Sequence, residues 1–446
     1  MDIEGYAKRA LLSEEKSDEI EKRLSQRILE IKGNSISKHH ANELAHAVMV
    51  ESQATLKLNK DILIPIQSGI TMGQFGVGSR GAGDFFAHEQ IAHVIGKTTA
   101  EVDSSHLDDS GVVKASKGEY LVVTVDGMHS RLSDYPFLAG FHVARAALRD
   151  VYVMGAKPLA MLSDIHVADD GDVGKIFDHI AGITTVAQLT GIPLITGSTL
   201  RIGGDMVIGE RMTGCVGAVG ITQLVSARIQ AEPGDLVLMT QGAGGGTIST
   251  TALYFDMHDV VDETINITFI EACEAIIDAG LLEHIHAMTD VTNGGIRGDA
   301  KEISRTAGVK LVFKEDKLRA LVNPAVLNML EKLKIDYLGV SLDALLIIAP
   351  ADAADTILDV LRSKDIAADV IGQIEKGSGA QLEVDGAIND FSPRFRESAY
   401  TPIKKLVGED EPMDFKDMCD EVERAAGEAV DKKNRIIERI GKYLAN

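Results

Sequence analysis

LVVTVDGMHSRLSDYPFLAGFHVARAALRDVYVMGAKPLAMLSDIHVADD, residues 121–170, is the stretch that decides how this chain is read. A β-branched run, Leu121–Val125, predicts a strand that gives way to a loop at Asp126-Gly127. From about Leu138 the apolar residues Val143, Ala147, Val151 and Met154 recur at helical spacing. Gly155, with Pro158 soon after, stops that helix. Asp150 then falls in the last helical turn, where the macrodipole disfavours a carboxylate by roughly 0.3–1 kcal/mol. Arg149, Lys157 or a bound cation would offset this; a solvated acid on a helix end is the plainer alternative. Strand, loop, helix and strand in close succession predict an α/β unit.

Upstream, Asp108-Asp109-Ser110-Gly111 precedes the apolar pair Val112-Val113. Two carboxylates before one strand, facing Asp126 at the end of the next, predict a cation cage. Magnesium suits it, because it takes a few carboxylate oxygens and leaves other positions to phosphate and water. Acidic pairs are also ordinary in turns. Further upstream lies MGQFGVGSRGAGDFFAHEQIAHVIG, residues 72–96, whose glycines exclude regular structure until a helix begins near Phe85. Such a loop can bring bare amides to an anion, with Ser79 and Arg80 adding polar groups. A loop that orders only on binding is the alternative. It is neither a Walker loop nor a dinucleotide fingerprint.

Downstream, a strand near Leu159–Ser163, a helix over about Val173–Thr190 and a strand at Pro193–Thr196 follow, the last ending at Gly197-Ser198-Thr199. An apolar stretch, Met206–Gly220, closes the first domain. GDLVLMTQGAGGGTIST, residues 234–250, predicts a strand, a glycine loop and a helix opened by Thr247, Ser249 and Thr250, a second anion cradle. A helix over about Ile265–Ala279 leads to a strand ending at Asp290, a turn at Asn293-Gly294-Gly295 and a helix to about Ala307. Strands at Lys310–Phe313, Ala344–Ala349 and Ala368–Ile374, with a helix at Ala351–Ser363, complete an α+β layer. The divisions expected are 1–60, a helical extension with segments at about Ser13–Ile31 and Ser37–Leu58; 61–225, the first α/β domain; 226–400, the α+β domain; and 401–446, a helical extension.

The formal net charge of −22 argues against binding a phosphate backbone. It leaves nucleotides open, since metal ions and amides can carry phosphates. Cys215, Cys273 and Cys419 form no CxxC pair, so a disulfide framework and a zinc finger are excluded and small buried thiols expected. No stretch of eighteen apolar residues and no signal-like N-terminal run is present, which predicts a cytoplasmic protein with no membrane role. His88, His93, His106 and His142 lack the spacing of a metal motif.

Several motifs, in one order over about residues 70–390, resemble the superfamily of aminoimidazole ribonucleotide synthetase, selenophosphate synthetase, thiamine-monophosphate kinase and the ATP-dependent hydrogenase maturation protein. They are DDSGVV at 108–113, TVDGMHSR at 124–131, LRDVYVMGAKPLAML at 148–162, GIPLITGST at 191–199 and DVTNGGI at 290–296. Within it the chain is most similar to an archaeal, synthetase-related branch. The resemblance implies a two-domain synthetase-like fold in which N-terminal half-barrels of two subunits pair, with ATP in clefts along a homodimer. Carried over, Asp109, Asp126 and Asp150 would be Mg²⁺ ligands with Asp108 beside them. Gly127 to Arg131 would lie near phosphate, including Ser130. Asp290, Thr292, Gly294 and Gly295 would face them from the second domain. Ser79 and Arg80 of the glycine loop, with Ser198 and Thr199, are the further nucleotide-binding candidates. Asp126, His129 and Arg131 are the catalytic candidates; for His129 a general base, a phosphate contact and a structural role all stand.

The chain departs from the pattern at Ser198, which occupies the place of an acid; Asp205 and Glu210 are the nearest substitutes. No Cys precedes Cys215, and the sequence closes Tyr443-Leu444-Ala445-Asn446, so neither the selenium chemistry nor the Cys-carried dehydration is expected. The implied activity is γ-phosphoryl transfer from ATP to a small-molecule acceptor, with activation of an amide-type oxygen as one form of it. The alternative is a nucleotide-binding regulatory or assembly subunit without turnover.

Overall fold

The computed structural model describes residues 1–56, 58–397 and 399–444, with side chains as far as residue 441. Five strands, β1 (Gly111–Ser116), β2 (Glu119–Gly127), β3 (Lys157–Val167), β4 (Leu194–Arg201) and β5 (Met212–Thr222), form the first sheet in the order β1-β2-β5-β3-β4. Neighbours are antiparallel except β3 and β4, which are parallel and joined by the helix Gly174–Thr190. The strand expected to stop at Thr196 continues to Arg201, because Gly197, Ser198 and Thr199 pair in register with Ser163, Asp164 and Ile165.

The helix read from residue 138 runs Pro136–Val153, with proline in its first turn, and lies across one face of this sheet beside helix Gly174–Thr190. Glycines let the two helices approach closely. A Cβ at Gly140 would stand 2.1 Å from the His179 carbonyl oxygen, and one at Gly182 2.1 Å from that of Phe137. The other sheet face leaves Val113, Val123, Val125, Leu159, Leu162 and Ile195 exposed.

Seven strands, β6 (Leu236–Thr240), β7 (Ala287–Asp290), β8 (Val309–Lys314), β9 (Leu345–Ala349), β10 (Ala368–Lys376), β11 (Gly379–Val384) and β12 (Ala387–Asp390), form the second sheet in the order β12-β11-β8-β10-β6-β9-β7. β11 and β12 were not expected from sequence; Gly377 and Gly379, both at positive φ, turn the chain from β10 back alongside β8. One core runs from Val122 and Met161 of the first sheet, through Leu148 and Val151, to Phe269, Ile276 and Ile357 of the second unit. Helix 136–153 is therefore sandwiched between the two sheets' layers rather than half-exposed. A separate core with Met239, Ile248, Phe313 and Leu346 fills the far side of the second sheet.

Both ends are helical. The described residues of 1–60 contain three α-helices instead of two, the extra one being Ile3–Leu12, capped by Asp2. They bury Ile3, Ile20, Leu24, Ile28 and Val48 against Ile208 of the first domain. The tail helix Phe415–Leu444 lies on helix Ala82–Ile95, and Phe415 packs tilted on Phe75 and edge-on against Phe395 at ring separations of 5.7 and 5.1 Å. The glycine-rich segment is more regular than its composition predicts, since Thr71 and Gln74 form a capping box that starts a helical turn, Met72–Phe75. Among the described residues no helix is long and apolar enough to cross a membrane. None of the cysteines is bonded; Cys273 is buried as expected, whereas Cys215 and Cys419 are only half-buried.

Because a methyl at Gly140 meets backbone rather than a yielding side chain, Gly140→Ala is expected to lower the unfolding free energy by about 1–3 kcal/mol. Thermal denaturation of the variant measures this; an unchanged midpoint would show that the two helices can separate freely.

Candidate active site

The last turn of helix 136–153, the end of β2, the loop before β1 and the end of β7 open onto one cleft of ≈ 1250 Å³. Asp108, Asp109, Asp126, Asp150 and Asp290 all line it, joining residues 182 positions apart in sequence at the extremes. Asp150 is held by its neighbours: Thr124 Oγ1 donates to its carboxylate at 2.8 Å, and Ser110 Oγ donates to its backbone carbonyl at 2.7 Å. Burial, then the charges of Asp290, Asp126 and Asp109, raises its acid well above the usual range. Asp126 is raised by burial too, with Arg149 opposing the shift. Asp290 is pushed up to about 7 and Asp108 to about 6, in both cases chiefly by burial. Asp108 accepts from the Arg228 backbone N–H at 3.2 Å through Oδ1, while its buried Oδ2 has no hydrogen-bond partner among the described residues.

Buried arginines hold these acids in place. Arg149 pairs with Asp290 at 3.0 Å and also with Asp343, and Arg145, one helical turn earlier, reaches the same Asp343. Burial alone would lower the Arg149 guanidinium, but Asp343 and Asp290 outweigh it and raise it; Arg145 is lowered to about 10 by burial. Arg228, in the link between the two sheets, donates to Asp109 at 2.7 Å and to Thr289 at 2.6 Å and pairs with Glu302 at 3.0 Å. Thr289 donates to the other oxygen of Asp109 at 2.8 Å, so both oxygens of that expected metal ligand are already engaged. Of these three arginines, the sequence reading used only Arg149, as a charge near Asp150. Two arginines at i and i+4 in the otherwise apolar HVARAALRDV were the available signal for Arg145; nothing local marked Arg228, Glu302 or Asp343.

The expected phosphate-facing residues are divided. Gly127, His129, Ser130, Arg131, Arg80 and Thr292 line the cleft. Arg80 is committed, pairing with Glu302 at 2.6 Å. Ser79 is buried outside the lining, with its hydroxyl on the Gly76 carbonyl. Gly294 and Gly295 form the N-terminus of helix Gly295–Ala307 behind Asn293, and a Cβ at Gly294 would stand 2.5 Å from that of Arg80. Ser198 and Thr199 also lie outside this cleft, on edge strand β4, because the strand runs on through them. Asp205 pairs with Arg201, and neither it nor Glu210 lines the cleft.

Gly246 and Thr247 reach the cleft, while Ser249 and Thr250 of the same helix turn inward, to His142 at 2.9 Å and His129 at 3.1 Å. His129 bonds Tyr400 through its other nitrogen at 3.1 Å, and burial and then Lys404 lower its pKa to about 4. With both nitrogens on hydroxyls and its protonated form disfavoured by burial, His129 is placed to position its neighbours rather than to take up a proton as a base. Among the described residues no three His, Cys, Asp or Glu side chains close around a point that could hold a metal ion.

This architecture matches known proteins over both sheets. Residues 107–222 match the description "AIR synthase related protein, N-terminal domain", and residues 232–385 the corresponding C-terminal domain. An uncharacterised protein of Methanocaldococcus jannaschii is 50% identical over 450 residues, 98% of each chain. The chain belongs to the AIR synthase related family. A selenide, water dikinase of Geobacter metallireducens is 35% identical over 209 residues, 46% of this chain and 58% of that one. Two solved structures share the fold. The HypE–HypF complex aligns with TM-score 0.55 at 20% identity, over 65% of this chain and 94% of that one. The hydrogenase maturation protein HypE in complex with ATP aligns with TM-score 0.53 at 19% identity, over 72% and 96%.

The raised acids make stability depend on pH in a definite direction. Folded Asp108 and Asp290 keep protons that the unfolded chain, with carboxyls near 3.9, has released. Between about pH 4 and 7 the folded state therefore binds more protons, and its stability falls as pH rises. Asp108→Asn is expected to remove roughly 1–3 kcal/mol of that fall, read by chemical denaturation in metal-free buffer at pH 5 and 7.5. An identical pH slope in the variant would contradict the placement of Asp108.

Proposed function

We propose that this protein binds Mg-ATP in the cleft between its two sheets and transfers the γ-phosphoryl group to a small-molecule acceptor. The observation that carries the reading is the convergence of Asp108, Asp126, Asp150 and Asp290 on one cleft, with acids raised by burial and one buried oxygen, Asp108 Oδ2, left without a partner. Carboxylates so crowded call for more positive charge than Arg149 and Arg228 supply, since the acids stay raised despite them. They fit magnesium, which keeps phosphate and water among its ligands and needs no all-protein cage. Asp126 and Asp150 would hold it as two carboxylates, with Asp108 beside them and the other positions left to phosphate and water; Asp109, fully paired, anchors Arg228 instead. When bound, the metal would supply charge neutralisation for the phosphates.

The chain's own residues supply position. Arg149 and Arg145 fix the carboxylates of the second domain against the helix whose last turn carries Asp150. Gly127, without a side chain, allows the β2 terminus to approach a phosphate closely, and Ser130 and Arg131 continue that edge. In transfer, an acceptor oxygen bonds to the γ-phosphorus while the bond to the β–γ bridging oxygen breaks and ADP leaves. Such a reaction is served mainly by alignment and charge, so no protein nucleophile is required. The family also supports ATP-dependent phosphoryl transfer: a relative is named a dikinase, and a protein of the same fold is solved with ATP. A second reading, nucleotide binding without turnover, is favoured by Ser198 in place of an acid and by the committed side chains of Asp109 and Arg80. We also propose that the apolar outer face of the first sheet, with Val123, Val125 and Ile195 exposed, pairs with a second copy, and that the protein works in the cytoplasm.

Calorimetry with ATP is expected to show binding that weakens roughly tenfold or more without Mg²⁺. Asp126→Ala is expected to reduce ATP turnover about a hundredfold. No binding, or full turnover in the variant, removes the proposal; binding with no turnover against any acceptor favours the second reading. Light scattering at micromolar concentration is expected to give a dimer, converted to monomer by Val125→Asp.

A further inference from the structure

The cleft that gathers the aspartates also holds two cations of a different kind. Arg80, Arg145, Arg149 and Arg228 each have a carboxylate partner. Arg131 and Lys404 line the same cleft, and among the described residues neither is in an ion pair. Asp84, the acid whose field reaches Lys404, is instead bonded by the Arg80 backbone N–H at 2.7 Å. In a chain with 67 acidic and 45 basic residues, two unpaired cations in one cavity are an exception that calls for an anion.

Both cations rest on aromatic faces. The Arg131 guanidinium carbon lies 4.7 Å from the centroid of the Tyr254 ring, and Lys404 Nζ lies 4.3 Å from that of Tyr400. A ring face holds a cation in place with about 0.5–2 kcal/mol but leaves its charge free to meet a ligand. The supports are themselves fixed. Tyr254 donates to the Arg131 carbonyl at 3.3 Å, and Tyr400 is buried with its hydroxyl on His129, which is bonded in turn to Thr250. Thr401 Oγ1 accepts from the Lys404 backbone N–H at 3.2 Å, which orients the turn carrying the lysine. Burial and the Arg131 charge also lower the Lys404 ammonium below its usual range, a strain that an anion between the two would relieve.

We propose that Arg131 and Lys404, backed by Tyr254 and Tyr400, form the acceptor subsite, and that the acceptor carries an anionic oxygen group, a phosphate or a carboxylate. This rests on the phosphoryl-transfer reading of the same cleft. The volume of ≈ 1250 Å³ exceeds the roughly 300–1,000 Å³ usual for one small ligand, leaving room for a second molecule beside the nucleotide. Tyr400 and Lys404 lie beyond residue 385, where the match to the family ends, so the chain's own tail supplies half of this subsite.

The full-length protein, saturated with Mg²⁺ and the non-hydrolysable analogue AMPPCP, would be titrated calorimetrically with inorganic phosphate and separately with succinate. At least one anion is expected to bind once per chain, and which one binds separates phosphate from carboxylate recognition. Lys404→Met should weaken it tenfold or more while the nucleotide affinity stays within twofold, and Lys404→Arg should restore most of it. Neither anion binding, or equal affinity in wild type and Lys404→Met, overturns the proposal. So does an anion that competes with AMPPCP while Lys404→Met weakens the nucleotide, since the cations would then serve ATP itself. If AMPPCP does not bind but a Lys404-dependent anion still does, the nucleotide reading fails and the anion site stands.

Discussion

The pairing of Arg149 with Asp290 and Asp343 is the interaction on which the site depends. Removing a charge from water costs several kcal/mol even after relaxation, so a buried arginine must meet its carboxylates or the surface that buries it will not form. The arginine comes from a helix of the first unit, and the aspartates come from strand ends and loops of the second. Docking of the two units is thus conditional on a few charges meeting in register. Arg145 adds a second contact to Asp343 one turn away, fixing the rotation of the helix as well as its distance. Because Asp150 follows Arg149 directly, the same pairing sets where its carboxylate enters the cleft.

The arginines do not neutralise everything they gather. Asp290 and Asp126 raise the acid of Asp150, and Asp126 contributes to raising that of Asp290, on top of burial. Asp343 and Glu302, each facing two arginines, are instead held below their ordinary range despite burial. Acids that are structural and acids that are left wanting a cation are thereby separated by their partners, within one cavity.

The terminal extensions act differently. The N-terminal helices close their own small core on the loop around Ile208, away from the cleft. The segment after the second sheet returns to the cleft: Glu397 pairs with buried Arg297, Arg396 donates to the carbonyls of Gly73 and Gln74, and Tyr400 reaches His129. The glycine-rich loop is consequently clamped by the tail, which explains why a stretch with so little side-chain packing of its own has a defined path.

Periodicity and glycine placement alone determined the strand–helix–strand order of 121–170, the second βαβ-like run and the positions of Asp126, Asp150 and Asp290 at element ends, because these depend on neighbours within a few residues. The motif order also identified the family, and with it the aspartates that meet. Only the tertiary structure decided which of them are free. Asp109 looks equivalent to Asp108 in the sequence, yet Arg228, more than a hundred residues away, takes one of its oxygens and Thr289 the other. Ser198 read as a site residue but stays in an edge strand, since hydrogen bonding with β3 outlasts the local signal to turn. Tyr400, at the end of the second domain, and Lys404, in the charged segment after it, carried no signal at all. Their role arises from where the chain is led after its last sheet strand, and a charge acquires its partner, or its lack of one, only when distant segments are packed together.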